Sequence, residues 1–230
     1  ANYLITKKLL ATCYQKTDRV SEAINVFRDS VRLAEEKLDE KHPLTVMLMS
    51  DLAGALNSHK QYDEAEQLYR KVMQLQETMN LPPNHGPVVV VNSLAIVLQN
   101  RNRIDEAIEL FEKAQRLCEP LKPRENRDTI RTMINLGSAY AAASRLEEAE
   151  ELLSEVKSMS QGRFGEHYLT TLAIEHYQTA LLQREKFSKA KLNGREWVRA
   201  LENSGKTKQL PEAQVSFAEA LIEIGDYQQA

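Results

Sequence analysis

The sequence predicts an all-α fold, a right-handed solenoid of stacked antiparallel helix pairs, with five complete pairs and a partial sixth. Three observations carry this. Of 230 residues, 8 are Gly and 7 are Pro, about half the usual share, so material for hairpins is scarce. Charged residues reach 27% and hydrophobics 42%, a mixture that suits amphipathic helices and not a disordered chain. The third observation decides the matter. A polar, mostly acidic pair followed by alanine recurs as Ser21-Glu22-Ala23, Asp63-Glu64-Ala65, Asp105-Glu106-Ala107 and Glu147-Glu148-Ala149, with successive alanines 42 residues apart. Weaker copies, Ser188-Lys189-Ala190 and Gln228-Gln229-Ala230, follow after 41 and 40 residues. Such a period marks an array of stacked supersecondary units.

Other positions keep the same register. Twelve residues before the alanine stand Ala11, Ala53, Ala95, Gly137, Gln178 and Ala218, mostly small. One residue earlier are Leu10, Leu52, Leu94, Leu136, Tyr177 and Phe217; nine before the alanine are Tyr14, Leu56, Leu98, Tyr140, Leu181 and Leu221. Four after it come Phe27, Tyr69, Phe111 and Leu153, and then a break at Gly194. Large apolar residues four apart with a small one between them describe a helix face that a neighbour approaches closely. The repeated alanine does the same on a second helix. First helices are expected over 2–16, 44–59, 87–101, 128–143, 169–184 and 211–224, and second helices over 20–38, 62–80, 104–118, 146–159 and 187–203. Pro and Gly gather in the joints between pairs. One pair cannot bury its own apolar face, so the pairs must stack. The repeats divide as 1–41, 42–84, 85–124, 125–165, 166–208 and a partial 209–230. That last half-pair, with no polar closing helix, is expected to belong to a longer protein.

Composition narrows function. A net charge of −3 and a pI near 6.0 give no basic field of the kind nucleic-acid binding needs, and no nucleic-acid partner is expected. The longest near-apolar stretch, Pro87 to Leu98, is interrupted by Asn92-Ser93 and is too short for membrane insertion. Cys13 and Cys118, far apart in sequence, read as buried or half-buried small apolar residues and not as a disulfide framework. There is no Gly-rich phosphate loop, no His-Glu-x-x-His and no Gly-x-Ser-x-Gly. The acids Glu147, Glu148, Glu150 and Glu151 open a helix, where they favour its dipole and face water. His42, His85 and His167 fall at equivalent joints, one per repeat, too far apart to share an ion. No enzyme activity, metal or cofactor is expected.

The small, aromatic, apolar and alanine slots resemble the tetratricopeptide repeat. The usual period of that family is 34, and the 42-residue form, with His42-Pro43 opening a first helix, resembles the repeats of kinesin light chains. Residues 42–118, through His42-Pro43-Leu44-Thr45, Leu48-Met49-Ser50-Asp51-Leu52-Ala53 and Asn92-Ser93-Leu94-Ala95, are also similar to mitochondrial tetratricopeptide proteins that support respiratory complex III. The resemblance implies a scaffold that binds a peptide or partner protein in a concave groove, a cytoplasmic cargo or assembly adaptor. A mitochondrial assembly factor and a regulatory domain of a larger enzyme or signalling protein are the alternatives. Oligomeric state stays open.

In such arrays the first helices line the groove. Positions eight, eleven and fourteen before the alanine share one helical face, which places Gln15, Asn57 and Gln99; Thr12 and Ser138 with Thr179; and Asp51, Ser93, Asn135 and His176 in the groove, flanked by Lys8, Asn92 and Arg131. Amides donate and accept, so one amide per repeat can pair with the backbone of an extended peptide whatever its side chains. The resemblance to kinesin light chain implies peptide-holding roles for Asn57, Asn92 and Asn135. The carboxylate clamp of chaperone-binding relatives is not reproduced, since Thr12, Asp51, Val89 and Ser93 stand in its slots. A basic run, Arg184 to Lys208, coincides with the pattern break at Gly194 and with the chain's one tryptophan, Trp197.

Overall fold

The computed structural model describes residues 2–79, 85–120, 126–164, 168–204 and 207–225. These form eleven α-helices: α1 Asn2–Lys16, α2 Val20–Leu38, α3 Pro43–Ser58, α4 Tyr62–Thr78, α5 His85–Asn100, α6 Ile104–Cys118, α7 Arg127–Ala142, α8 Leu146–Phe164, α9 Tyr168–Gln183, α10 Phe187–Ser204 and α11 Leu210–Glu223. A 3₁₀ turn, Thr207–Gln209, leads into α11. The described residues are therefore all-α, with five helix pairs and the first helix of a sixth. The chain divides into two compact units, 1–117 and 118–230.

The helix ends lie within two residues of those the periodicity predicts, with one correction. Helix α8 continues through Gly162 to Phe164 and does not stop near residue 159. A Cβ at Gly162 would meet nothing, so this glycine answers no packing need, and its helix cost of about 1 kcal/mol is tolerated.

Side chains start two of the helices. His42 Nδ1 accepts from the Leu44 N–H at 3.1 Å while Pro43 occupies the first turn. Asn126 Oδ1 accepts from the Asp128 and Thr129 amides at 3.0 and 2.9 Å. Within each pair one backbone device makes the turn. Arg19, Gln61, Arg103, Arg145 and Lys186 each donate N–H to the carbonyl five residues earlier, at 2.8–2.9 Å, and the residue just before each donor, at Asp18, Lys60, Asn102, Ser144 and Glu185, has φ between 56° and 62°. This is the left-handed closure of a helix C-terminus, usually given to glycine. Gly225 (φ 75°) takes the same place after α11.

The repeated slots form the core of each unit. In unit 1, Ala23, Ala65 and Ala107 are fully buried, as are Ala11, Ala53, Ala95, Phe27 and Phe111. In unit 2, a Cβ on Gly137 would lie 2.6 Å from Leu153 Cγ, so no side chain fits there. The slot that buries Leu52, Leu94 and Leu136 leaves Leu10 44% exposed. Cys13 is likewise exposed, against the expectation of burial, while Cys118 is buried. Leu10 and Cys13 lie on a side of α1 that no other described helix covers.

A second correction concerns the acids. Glu147, Glu148 and Glu151 are exposed as expected, but Glu150 is buried and held by Arg184 and by Lys189 at 2.7 Å. Its counterpart in unit 1, Glu66, also follows the repeated alanine and is also buried. It receives Arg70 at 2.8 Å, Arg103 at 2.8 Å and Arg101. Burial pulls Glu66 upward, yet hydrogen bonds from Arg70 and Arg103 outweigh it and hold the carboxyl below its ordinary value. Lys189, then Arg184, does the same for Glu150 against its burial.

Candidate functional site

In unit 1 the first helices α1, α3 and α5 carry the predicted groove residues on neighbouring faces. Lys8 Nζ stands 2.9 Å from Asp51 Oδ2, joining α1 to α3. Six residues further along α3, Asn100 Nδ2 donates to Asn57 Oδ1 at 3.0 Å, joining α5 to α3. Gln15 and Gln99 are half-buried in the same row. The Thr12 hydroxyl donates to the Lys8 carbonyl at 2.9 Å and is thereby occupied within its own helix.

Asn92 is a correction. It is buried, whereas Asn57 is half-buried and takes its hydrogen bond from Asn100 at an exposed site. Asn92 is therefore not displayed to a ligand in the way Asn57 is.

The structure adds residues that pattern-reading missed. Tyr69 belongs to an outer helix, yet its hydroxyl bonds the Ser93 side chain and lies near Gly54 and Asp51. Burial pushes its phenol above the ordinary value. Met47 and Val89, each 39% exposed, wall a cleft of about 300 Å³ with Pro43, Val46, Ser50, Asp51, Met79 and Val90. Both stand eighteen residues before their repeated alanine, as does the exposed Ile5. The signal was an apolar row where polar residues were sought.

Unit 2 presents α7, α9 and α11. Arg131 Nη2 donates to the Tyr168 hydroxyl at 2.9 Å, while Asn135, Ser138 and His176 are half-buried and Thr179 is exposed. The Thr179 hydroxyl donates to the Glu175 carbonyl at 3.2 Å. Burial pushes the His176 imidazole below its ordinary value and favours the neutral ring. Burial, and secondarily the Glu212 charge, push the Glu175 carboxyl upward. A shallow cleft between α9 and α11 is lined by Thr179, Leu182, Gln183, Glu212, Val215 and Glu219.

The basic run is partly spent inside unit 2. Arg184 pairs with Glu147 at 2.7 Å and with Glu150, which also takes Lys189. Lys206 lies outside the described residues, as do His167 and the side chain of His85. No described helix is long and apolar enough to cross a membrane.

Known proteins match this architecture. Among solved structures, a kinesin light chain of nearly identical repeats from Podosopora anserina has a TM-score of 0.74 at 24% identity, covering 88% of this chain and 96% of that one. The apo form of RapI has a TM-score of 0.81 at 12% identity, covering 98% and 81%. By sequence, the mitochondrial tetratricopeptide repeat protein 19 of Homo sapiens is 34% identical over 65 residues, 28% of this chain. The Rattus norvegicus protein is 29% identical over 86 residues, 36% of this chain. The matched stretch spans 17% of the human protein and 24% of the rat protein. The family model for the tetratricopeptide repeat matches residues 3–78 and 89–161. With its alanine register, helix pairs and left-handed turns all repeating together, the chain belongs to the tetratricopeptide repeat family.

Proposed function

We propose that this chain is a protein-interaction scaffold that holds an extended peptide segment of a partner against the first helices of unit 1, and that it has no chemistry of its own. The observation that carries the reading is the layout around α3 and α5. An apolar cleft between Met47 and Val89 lies on the same helices as the amide pair Asn57–Asn100. The cleft has room for one apolar side chain, and the amides can trade their mutual bond for a peptide backbone. Because Lys8 already neutralises Asp51, the surface favours a peptide of low net charge. An ordering penalty on the peptide sets moderate affinity.

The role we favour is a cytoplasmic cargo or assembly adaptor, supported by the fold likeness to kinesin light chain. A second reading, a mitochondrial assembly role, is supported by the local identity to tetratricopeptide repeat protein 19. The test is selection of peptides from a random display library on the whole chain, followed by binding to Met47→Ser, Asn57→Ala and the double variant. Selected peptides should share an apolar residue and lose about tenfold or more in affinity to the double variant, with helicity unchanged by circular dichroism. Equal binding to all forms would move the site elsewhere.

A further inference from the structure

A second cavity lies in unit 2, apart from the groove rows. It occupies about 250 Å³ between the end of α8, the start of α9 and the outer face of α10. Its walls include Thr170, Thr171, Gln161, Glu196, Arg199 and Asn203. Thr170 and Thr171 are only 4% and 3% exposed, and neither hydroxyl has a hydrogen-bond partner. Two unpaired buried hydroxyls side by side are unusual, since groups of this kind are nearly always satisfied.

The corresponding notch in unit 1 shows that the fold does not require this. There Met73, Pro87, Val91 and Leu117 line the notch together with Gln76, Glu77 and Lys113, and no hydroxyl is among them. By repeat register Thr170 replaces Pro87, Thr171 replaces Val88, and Ala200 replaces Leu117. The first two exchanges add hydroxyls, and the third removes bulk.

The charges of the notch sort themselves. Glu196 is engaged by Lys157 at 2.6 Å and by Gln161, which leaves it quiet. Arg199 is exposed and has no ionic partner among the described residues. The hydroxyls also belong to the first turn of α9, a sixteen-residue helix, whose dipole places partial positive charge at that end.

We propose that this notch is a binding site for a small oxyanion, a carboxylate or a phosphate, held by the Thr170 and Thr171 hydroxyls and by Arg199. The hydroxyls donate, the guanidinium supplies a forked charge-assisted contact, and the helix end adds its field. The Arg199 side chain closes over the ligand from the solvent side.

The experiment uses the whole chain, titrated separately with inorganic phosphate and with glutarate. Trp197 is the reporter, because it packs against Ile174, which lines the notch. Saturable quenching or shift of its fluorescence is expected, with affinity reduced about tenfold or more in Arg199→Gln and in Thr171→Val. Glutarate binding alone assigns a carboxylate source such as a peptide side chain; phosphate binding alone assigns a free or protein-bound phosphate; both support the site. Thr171→Val also removes an unsatisfied buried hydroxyl, so the ligand-free variant should melt no lower than the parent. That combination separates a binding role from a structural one. Absence of saturable binding, or binding that both variants retain, overturns the proposal and makes the notch a solvent pocket.

Discussion

Gln178 on α9 stands in the space that Gly194 on α10 leaves open: a Cβ at Gly194 would lie 3.2 Å from Gln178 Nε2. In four earlier repeats the corresponding pair is small on the first helix and large on the second, as in Ala11 with Phe27 or Gly137 with Leu153. Here the sizes are exchanged. The glutamine is buried and works as a polar bracket. Asn193 Nδ2 donates to Gln178 Oε1 at 3.1 Å and to the Ile174 carbonyl at 3.0 Å, and Gln178 Nε2 donates to the Ser216 carbonyl at 3.4 Å.

Gly194→Ala tests this exchange. The added methyl would sit 3.1 Å from Phe217 Cα and Cβ, and α11 backbone cannot yield as a side-chain tip can. Helix propensity alone would reward the substitution by about 1 kcal/mol, but overpacking costs about 1–3 kcal/mol. A net loss of about 1 kcal/mol is expected in urea unfolding. A gain would mean that α11 is not held against α10.

The buried carboxylate Glu66 predicts a contrast between two variants. Glu66→Ala should cost about 2 kcal/mol. This is less than the loss of a typical buried ion pair, because Arg101 keeps Asp63 at 2.6 Å and Arg103 keeps Glu106 at 2.5 Å. Glu66→Ile should fall within about 1 kcal/mol of the parent, since Ile24 and Ile108 are buried in the same slot of neighbouring repeats. Chemical denaturation measures both.

Acid should find these same carboxylates. Glu66 and Glu150 are held below 4.5 in the folded chain, so their stabilisation is complete above about 4.5 and disappears as pH falls through the lower folded values. His176, held below 6.5, adds a loss that begins as pH drops under about 6.5, where the unfolded ring protonates first. Glu175 has the opposite sign. Its raised value means that ionisation disfavours folding above about 4.5. Glu175→Gln should therefore raise Tm at pH 7, and that advantage should vanish by pH 4. A variant that melts lower at pH 7 would show that the carboxylate is compensated.

The turns offer a fourth measurement. Lys60 and Glu185 hold left-handed backbone at φ 61° and 56°, a conformation that costs a side chain about 1–2 kcal/mol. Glycine avoids that cost but loses about 0.5–1 kcal/mol in chain entropy. Lys60→Gly and Glu185→Gly should each stabilise by about 0.5–1 kcal/mol, while Asn102→Gly at φ 61° should be nearly neutral because asparagine tolerates the region. Equal effects at all three would argue against strain.

Much of this architecture was legible from spacing alone. The alanine register fixed helix ends closely because each pair repeats one packing solution, and the end of α8 escaped it because Gly162 reads as a joint and packs as an ordinary exposed helix position. The groove was less legible. Helical phase places Gln15, Asn57 and Asp51 on one face, but phase cannot tell display from burial, and Asn92 is buried. Tyr69 was invisible for another reason: its slot belongs to the core, and only the length of the side chain carries its hydroxyl to Ser93. The pairing of Arg184 with Glu150 crosses thirty-four residues of sequence and no single-helix pattern announces it.

After the first four repeated alanines stand Ile24, Glu66, Ile108 and Glu150, and after the fifth stands Lys191. An arginine stands six residues before the next alanine only after the two glutamates, at Arg101 and Arg184; His59 and Ala143 occupy that place otherwise. Over the first four repeats the geometric period is one helix pair, but the chemical period is two. A repeat paired one step out of register would bring His59 or Ala143 where Arg101 and Arg184 stand, and the buried carboxylate would lose one of its guanidinium partners. Across those four repeats the alternation therefore acts as a parity check on the stacking order.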